Sequence, residues 1–329
     1  MKLVRRLAIV MLALGAAAGW CAWRITQPYK GFGAETFVDF PRGASSVAMA
    51  SSLAQAGVIR SQWDFLLIRA LLPIRVLAAG EYRFTREASP LEVFGRIARG
   101  DAFYYTLVVP EGKNMFDIAA AAANLGLCTV PEFLEAARDP SLIRALDPDA
   151  PSLEGYLFPS TYRVGRHTHA GELCHLMTAR FRRAWSSLGT EALVHRTVTL
   201  ASLVEKESKL PEERPRVAAV FVNRLRLGMA LDCDPSTIYA ALVEQRYRGT
   251  IHRSDLDSGN PYNTYRNAGL PPGPIANPGL DAMRAVLAPV DTDALYFVLR
   301  PDGSGAHQFS SNMAAHQAAV AVYRRGKKK

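Results

Sequence analysis

The stretch "ETFVDFPRGASSVAMASSLAQAGVI", residues 35–59, contains the unit around which the first part of the chain is organised. Its apolar residues alternate, meet a Pro-x-Gly turn and then recur with helical spacing, which predicts a strand, a turn and a helix. Ser45 or Ser46 is suited to cap that helix, because a serine oxygen accepts from free helix N–H groups. Gly57 is suited to end it, because glycine tolerates a left-handed backbone.

The same pattern returns in "YYTLVVPEGKNMFDIAAAAANLGL", residues 104–127. Here Asn114 is the expected cap and Gly126 the expected stop. Gly112 and Gly126 have the same spacing as the two corresponding glycines of the first copy. The sequence therefore contains an internal repeat of a strand–turn–helix unit.

A linker and a small module precede the second copy. Residues 24–34 mix Pro, Gly and polar residues and are typical of a linker. Residues 61–72 predict a second helix, followed by a strand and a helix capped by Ser89 and ended by Gly100. We predict a small strand–helix–helix–strand module over residues 35–106, of the LysM-like kind that lies along polysaccharide chains. A domain that only spaces the rest of the chain from a membrane is the alternative.

The N-terminus predicts a membrane anchor. Residues 7–23 are uncharged and mostly apolar, with basic residues on both sides, which is the short end of the range for a transmembrane helix. Residues 1–6 would then be cytoplasmic, Trp20 and Trp23 would lie at the far interface, and the body would lie outside the cytoplasm. A cleaved signal peptide, processed at the small residues 16–18, is the alternative.

The cysteines give no metal or redox motif. Cys21 lies in the predicted anchor, and bulky Trp20 before it disfavours lipidation. Cys128, Cys174 and Cys233 form no C-x-x-C pair, so no metal site is predicted, while a disulfide between two of them stays open.

Charge points to an anionic partner. Lys and Arg number 39 against 30 Asp and Glu, a net charge of +9, which suits nucleic acid, lipid headgroups or an acidic wall polymer. No basic run is interleaved with aromatic residues, so nucleic acid is not predicted as a partner.

The remaining chain predicts a larger α+β domain over residues 107–325 and a solvated basic tail over residues 326–329. A Pro- and Gly-rich segment too irregular for a helix or strand must form a long functional loop. The predicted elements are a loop leading to a strand (152–164), two helices (190–208 and 211–227), the long loop (258–280), a hairpin around Asp302-Gly303, and a closing helix (312–325).

Within "LASLVEKESK", residues 200–209, two glutamates differ in position. Glu207 continues an apolar helical stripe, where burial favours the protonated carboxyl that a general acid needs. Glu205 points to the other side, within reach of Lys209, and is expected to be solvated or salt-bridged. The alternative for Glu207 is a frayed helix end that releases the side chain to water.

Other catalytic patterns are lacking in the sequence. It has no Gly-x-Ser-x-Gly elbow, no H-E-x-x-H and no P-loop. His167 and His169 show no ligand spacing and are expected on the surface.

Several blocks together resemble one family. "EGYLFPSTY" (154–162), "LASLVEKES" (200–208), "AAVFVNRLRLGMALDCDPSTIYA" (218–240) and "NPYNTYRNAGLPPGPIANPGLDAM" (260–283) resemble the YceG-like (MltG) endolytic murein transglycosylases. The anchor and "AGEYRF" (79–84) fit the same layout. The resemblance implies a single-pass inner-membrane enzyme with a periplasmic body that cuts nascent peptidoglycan strands internally and ends their elongation.

The resemblance also implies the site. Glu207 would be the essential acid of a lytic transglycosylase, a carbon–oxygen lyase that needs no metal or cofactor. Asn263, Tyr265 and Thr237 are expected to orient the substrate, and Glu154 to hold a loop or face the substrate. The alternatives are that Asn263 forms a turn, that Tyr265 belongs to the core and that Glu154 caps a helix or a loop.

One residue departs from the family pattern, and two alternative functions stay open. Cys233 departs from the small polar residue expected in "LDCDPS". The alternatives are a muramidase in which Glu207 pairs with Glu205 or Glu154, and a non-catalytic peptidoglycan-binding scaffold. Peptidoglycan synthases are candidate partners of the protein, whether it is an enzyme or a scaffold.

Overall fold

The computed structural model describes residues 2–73 and 75–326. The chain divides into two compact units between Tyr105 and Thr106. Of the predicted tail, only Gly326 is described, and residues 327–329 lie outside the described part, as does Met1.

The first unit is a mixed α/β arrangement that begins with a long apolar helix. Its elements are α1 (Lys2–Thr26), β1 (Thr36–Phe40), α2 (Ser46–Gln55), α3 (Gln62–Leu71), β2 (Gly80–Phe84) and α4 (Pro90–Arg99). The segment Leu3–Thr26 is long and apolar enough to cross a bilayer, so α1 is a candidate membrane span. This helix contains the whole of the predicted span, residues 7–23.

β1 and β2 pair in an antiparallel register, with Val38 opposite Tyr82. In each strand alternate side chains face inward, and Val38, Phe40, Tyr82 and Phe84 are all less than 5% exposed. α2, α3 and α4 cover this face with their own buried apolar residues. The predicted strand–helix–helix–strand order is confirmed, as are the Ser89 capping box and the left-handed Gly100 at the two ends of α4.

The predicted repeat is confirmed to the residue. β3 (Tyr105–Val109) and α5 (Met115–Asn124) repeat β1 and α2 with each boundary displaced by the same 69 positions, from 36 to 105 and from 46 to 115. Ser45 and Asn114 each cap their helix. All four glycines of the repeat have a positive φ, which explains why glycine stands at those turns.

The second unit is mainly helical. After β3 and α5 its elements are α6 (Val130–Arg138), β4 (Ser160–Val164), α7 (Ala170–Ser186), α8 (Val194–Glu207), α9 (Arg214–Arg226), α10 (Asp234–Val243), α11 (Arg253–Leu256), α12 (Leu280–Leu287), β5 (Tyr296–Leu299), β6 (His307–Ser310) and α13 (Met313–Gly326). β3 pairs with β4, and β5 with β6 as the predicted hairpin.

Two helix boundaries differ from the prediction. α8 begins at Val194 rather than near 190, because Thr190 Oγ1 accepts from the Ala192 N–H in a local turn. The helix predicted from 211 to 227 starts with a separate 3₁₀ turn, Pro211–Glu213, before α9. Pro215 then stands in the first turn of α9, where its missing N–H costs nothing.

The core of the second unit positions the end of α8. α8 packs against both α9 and α12, and Leu200, Leu203 and Val204 lie in the central apolar cluster. The long loop, residues 258–279, has no helix or strand, as predicted. It passes so close to Gly155 (φ 89°) that a Cβ there would overlap the Pro274 ring.

Candidate active site

Glu207 is the last residue of α8, and its side chain is half-buried rather than released to water. The helix ends here because the next residue, Ser208, has an extended backbone, while its N–H still bonds to the Val204 carbonyl. The apolar stripe of α8 therefore extends to its final turn and holds the carboxyl group at the edge of the core.

Two cavities share Glu207 and Phe297 in their walls. The first has a volume of about 380 Å³ and is also lined by Arg224, Asp234 and Tyr265. The second, of about 340 Å³, is lined by further residues of the hairpin, including His307. Glu207 is the carboxyl group that both cavities have in common.

Burial raises the pKa of Glu207. A hydrogen bond from Cys233 Sγ to Glu207 Oε1, 3.1 Å long, and the charge of His307 both act to lower it, while Asp234 raises it. The desolvation effect is the largest, so the pKa of Glu207 is raised and its protonated form is favoured. The Cys233 thiol is itself buried, and burial together with Glu207 keeps it protonated.

Tyr265 lies in the first cavity and is anchored. Its hydroxyl donates to Asp234 Oδ1 at 2.7 Å, at the N-terminus of α10. Tyr265 is 37% exposed, so its ring remains accessible from the cavity. The structure therefore brings Tyr265 and Glu207 to one site.

Thr237 and Asn263 lie beneath the site and are fully buried. Thr237 Oγ1 donates to Asn263 Oδ1 at 3.2 Å, and the same oxygen accepts from the Tyr265 N–H at 3.1 Å. The Asn263 amide donates to the carbonyls of Asp255 and Leu256 at the end of α11 and to that of Ser258 in the loop. These two side chains hold the loop that carries Tyr265.

Glu154 lies away from both cavities and is 1% exposed. Its carboxylate accepts from the Met115 N–H and from the Asn277 amide, both at 2.8 Å. Asn277 also accepts from the Leu157 N–H and donates to the Lys113 carbonyl. Of the two predicted roles for Glu154, the structure places it where it holds a loop. Burial raises its pKa to about 8.

Glu205 has an ion pair in the protein interior. Glu205 Oε1 lies 2.6 Å from Arg214 Nη2, and Oε2 accepts from the Gly279 N–H at 3.0 Å. The Glu205 side chain is only 4% exposed, so the expectation of a solvated side chain is wrong. The alternative expectation, a salt bridge, is confirmed, with Arg214 rather than Lys209 as the partner.

The sequence reasoning missed a buried hydrogen-bonded pair, His307 and Glu213, beside Glu207. His307 Nδ1 lies 2.6 Å from Glu213 Oε2, and the His307 N–H also donates to this carboxylate. The two residues are 94 positions apart, so no local pattern could connect them. The alternation of β6, which turns His307 and Phe309 to one face, was the one available signal.

Arg224 was also missed, and it shapes the first cavity. Its guanidinium donates to the Leu295 and Leu231 carbonyls and pairs with Asp232 at 3.1 Å. It thereby holds β5 against the segment before α10. Asp232 and Asp234 are thus both engaged, with Arg224 and Tyr265.

All four cysteines are free thiols. In the described part of the chain, no three His, Cys, Asp or Glu side chains group in a way that could hold a metal ion.

The fold places one carboxyl group of raised pKa, Glu207, in the walls of two neighbouring cavities, as expected of an enzyme that uses a single general acid. The YceG-like family model matches residues 38–322, so the chain belongs to the YceG-like family.

Relatives of known name agree with this assignment. The chain is 30% identical to the endolytic murein transglycosylase of Bacillus subtilis over 87% of its own length and 84% of that protein. It is 28% identical to the Streptococcus pneumoniae protein of the same name, of which it spans 58%. It also resembles the crystal structure of a YceG-like protein, lmo1499, from Listeria monocytogenes, with a TM-score of 0.55, 29% identity, and coverage of 86% of this chain and 98% of that one.

Proposed function

We propose that this protein is an endolytic murein transglycosylase that cleaves the MurNAc–GlcNAc β-1,4 bond inside peptidoglycan strands. The observation that carries the proposal is Glu207, a carboxyl group with a raised pKa at the junction of two cavities. A strand cut internally has sugars on both sides of the broken bond. The two cavities that share Glu207 offer a place for each side.

The chemistry needs one acid rather than two. Glu207 protonates the glycosidic oxygen as the C1–O4 bond breaks, leaving a free 4-hydroxyl on the departing GlcNAc. The C6 hydroxyl of the MurNAc then attacks C1, and the Glu207 carboxylate takes its proton. The C1–O6 bond closes a 1,6-anhydro ring, and Glu207 is protonated again. Because the nucleophile is on the sugar itself, the proximity advantage is already present.

The alternative of a two-carboxylate muramidase finds little support in the geometry. Its second carboxylate was expected to be Glu205 or Glu154. Glu205 is paired with Arg214, and Glu154 holds Met115 and Asn277, so neither faces a cavity lined by Glu207. The other carboxylates of the first cavity, Asp232 and Asp234, are engaged with Arg224 and Tyr265.

The proposal extends to the surroundings of the enzyme. α1 is inserted in the inner membrane with residues 1–6 in the cytoplasm, so that the second unit works in the periplasm and ends the elongation of nascent strands. The unit over residues 35–106 is LysM-like and contacts glycan, and peptidoglycan synthases are partners. The basic residues Lys2, Arg5 and Arg6 in the first turns of α1, and the exposed Trp20 and Trp23 near its end, support this orientation.

The experiment compares the full chain in detergent with E207Q and E205Q on uncleaved peptidoglycan strands, with products identified by mass spectrometry. We expect ends one water lighter than reducing MurNAc from the wild type, and none from E207Q. Reducing ends would move the assignment to a hydrolase. Equal production of anhydro ends by E207Q would place the acid elsewhere, and no cleavage by any form would favour a scaffold.

A further inference from the structure

The first unit contains a cavity of about 840 Å³ that the proposed function does not use. Its walls come from the end of β2, from α4 and from the segment that follows α4. Four arginines line it: Arg83, Arg86, Arg96 and Arg99. The acidic residues in the same walls are Glu92 and Asp101.

The positive charge of this cavity is not neutralised from within. Asp101 pairs with Arg99 at 2.9 Å, and the Glu92 carboxylate accepts from the Ser89 N–H in the capping box. Glu35, outside the walls, pairs with Arg83. Within the described residues, neither Arg86 nor Arg96 forms a salt bridge with a carboxylate, and Asp101 acts on Arg96 only through its charge.

Arg96 is held in place although no carboxylate forms a salt bridge with it. Its guanidinium stacks over the Phe84 ring at 4.9 Å and donates to the Arg83 carbonyl at 3.1 Å. Lys30 adds a further cation, with its ammonium group 3.5 Å from the carbonyl of Thr85, a wall residue. A cluster of this kind is suited to a phosphate group, because guanidinium groups bind phosphate oxygens through charge-assisted hydrogen bonds.

The cavity lies next to the end of the candidate membrane span. Tyr29 pairs with the wall residue Ala88 through two backbone hydrogen bonds, of 3.1 and 3.3 Å. Tyr29 is three residues beyond Thr26, where α1 ends, and Ala88 pairs with it about 5 Å further on, so this wall is at most about 16 Å from the helix end. The headgroup layer of one leaflet is itself roughly 5–7 Å thick.

The end of α1 is also fastened to the first unit. Arg24 Nη2 donates to both carboxylate oxygens of Asp64 in α3, at 2.9 and 2.8 Å. The neighbouring Trp63 is 69% exposed, and tryptophans favour the membrane interface. The wall of the arginine cavity is therefore tied to the end of α1, on the side of the bilayer where α1 emerges and within reach of its lipid headgroups.

We propose that the arginine cavity of the first unit binds the phosphate headgroup of an anionic phospholipid, with Arg86 and Arg96 as the main phosphate contacts. The position of this site in a bilayer rests on the proposed insertion of α1, whereas its preference for the headgroup does not. Bound lipid would hold the first unit flat against the membrane surface through charge as well as through the helix.

The test titrates the full chain in neutral detergent at low salt with dioctanoyl phosphatidylglycerol and with dioctanoyl phosphatidylcholine, by calorimetry. We expect the wild type to bind the anionic lipid about tenfold more tightly, and R86Q/R96Q to lose that preference. R42Q/R75Q is the matched control, since it removes two exposed arginines of the same unit and should keep the preference. R86Q alone, which leaves the stacking of Arg96 on Phe84 intact, should weaken the preference several-fold without unfolding.

Several results would overturn the proposal. An unchanged preference in R86Q/R96Q, or an equal loss in R42Q/R75Q, would show that general charge and not the cavity selects the lipid. Inorganic phosphate that competes as strongly as the lipid would make the cavity a site for free phosphate. A preference for soluble muropeptides over either lipid would assign the cavity to the glycan.

Membrane insertion is checked separately. The chain is reconstituted in phosphatidylcholine vesicles and washed with alkaline carbonate, and we expect it to stay in the vesicles. Release by carbonate would contradict the insertion of α1 but leave the measured headgroup preference standing.

Discussion

Glu205 and Glu207 are two residues apart on the last turn of one helix, yet their carboxyl groups lie in opposite surroundings. Glu205 is bound on both oxygens, by Arg214 and by the Gly279 N–H. Glu207 contacts a single thiol and faces two cavities. One glutamate fastens the helix to its neighbours, and the other is left available for proton transfer.

Replacing Glu207 by glutamine should remove activity without weakening the fold. The amide cannot donate the proton that the leaving oxygen requires, so we expect a loss of about 10³-fold in the rate of anhydro-end formation. The unfolding free energy should change by less than about 1 kcal/mol, because the amide is of the same size and also hydrogen-bonds. Product analysis and thermal unfolding of the same preparation check both parts.

Replacing Glu205 by glutamine should instead weaken the fold and leave most of the activity. Arg214 is 8% exposed and would lose its close carboxylate partner, keeping only Glu111 at 3.6 Å. We expect a loss of about 3 kcal/mol in stability, as for other broken buried pairs. Folded E205Q at low temperature should retain activity within about tenfold of the wild type. Loss of activity as complete as that of E207Q would assign Glu205 a chemical role.

The pH profile should report on Glu207. Because its pKa is raised and the first step needs the protonated form, activity should fall as the pH rises through that pKa. The rate of anhydro-end formation from pH 4 to pH 9 measures this limb. A rate that instead climbs steadily across this range would contradict a general-acid role.

The Cys233 side chain should influence the pH at which activity falls. A serine hydroxyl donates more strongly than a thiol and stabilises the carboxylate, so C233S should move the fall to lower pH. C233A removes the donor and should move it to higher pH. We expect activity to fall at the lowest pH in C233S, at an intermediate pH in the wild type and at the highest pH in C233A. Three coincident pH profiles would show that the thiol does not affect the pKa of Glu207.

Glu154 should make stability depend on pH. Its pKa is about 8 in the folded protein, against about 4 in the unfolded chain. A raised folded pKa means that its contribution is complete below about pH 4 and is lost as the pH rises to about 8. The unfolding free energy of the wild type minus that of E154Q should therefore decrease across this window. A difference that stays constant with pH would contradict the assignment.

Local features of the sequence predicted more than contacts between distant segments. The glycine spacing and cap residues gave the repeated strand–turn–helix unit, because turns and caps depend on neighbours a few residues away. The apolar stripe of α8 likewise led to Glu207. The burial of Glu205 could not be predicted, because Arg214 comes from the next helix and Gly279 from the distant loop. The same applies to Glu213 and His307, which meet only in the folded chain.

For a further group of residues the sequence predicted the site region but not which side chains border the cavity. These are Asn263, Thr237 and Tyr265. Their place in the site region was expected from resemblance, and the structure puts all three in one hydrogen-bonded group. Only Tyr265 borders the cavity with Glu207, while the other two are buried beneath it. Sequence patterns indicate which segments assemble a site, but burial decides which of their side chains face it.

The loop over residues 258–279 should restrict where residues can be inserted or deleted as the sequence evolves. Asn263 towards one end accepts from Thr237 of α10, and Asn277 towards the other end donates to Glu154, so both ends of the loop are attached to the rest of the second unit. An inserted or deleted residue there would put one of these amides out of register with its partners. We expect insertion scanning to find this segment as intolerant of length changes as a core helix, although it contains no regular structure. Gains and losses of residues should instead be accepted at the exposed tip of the hairpin near Gly303.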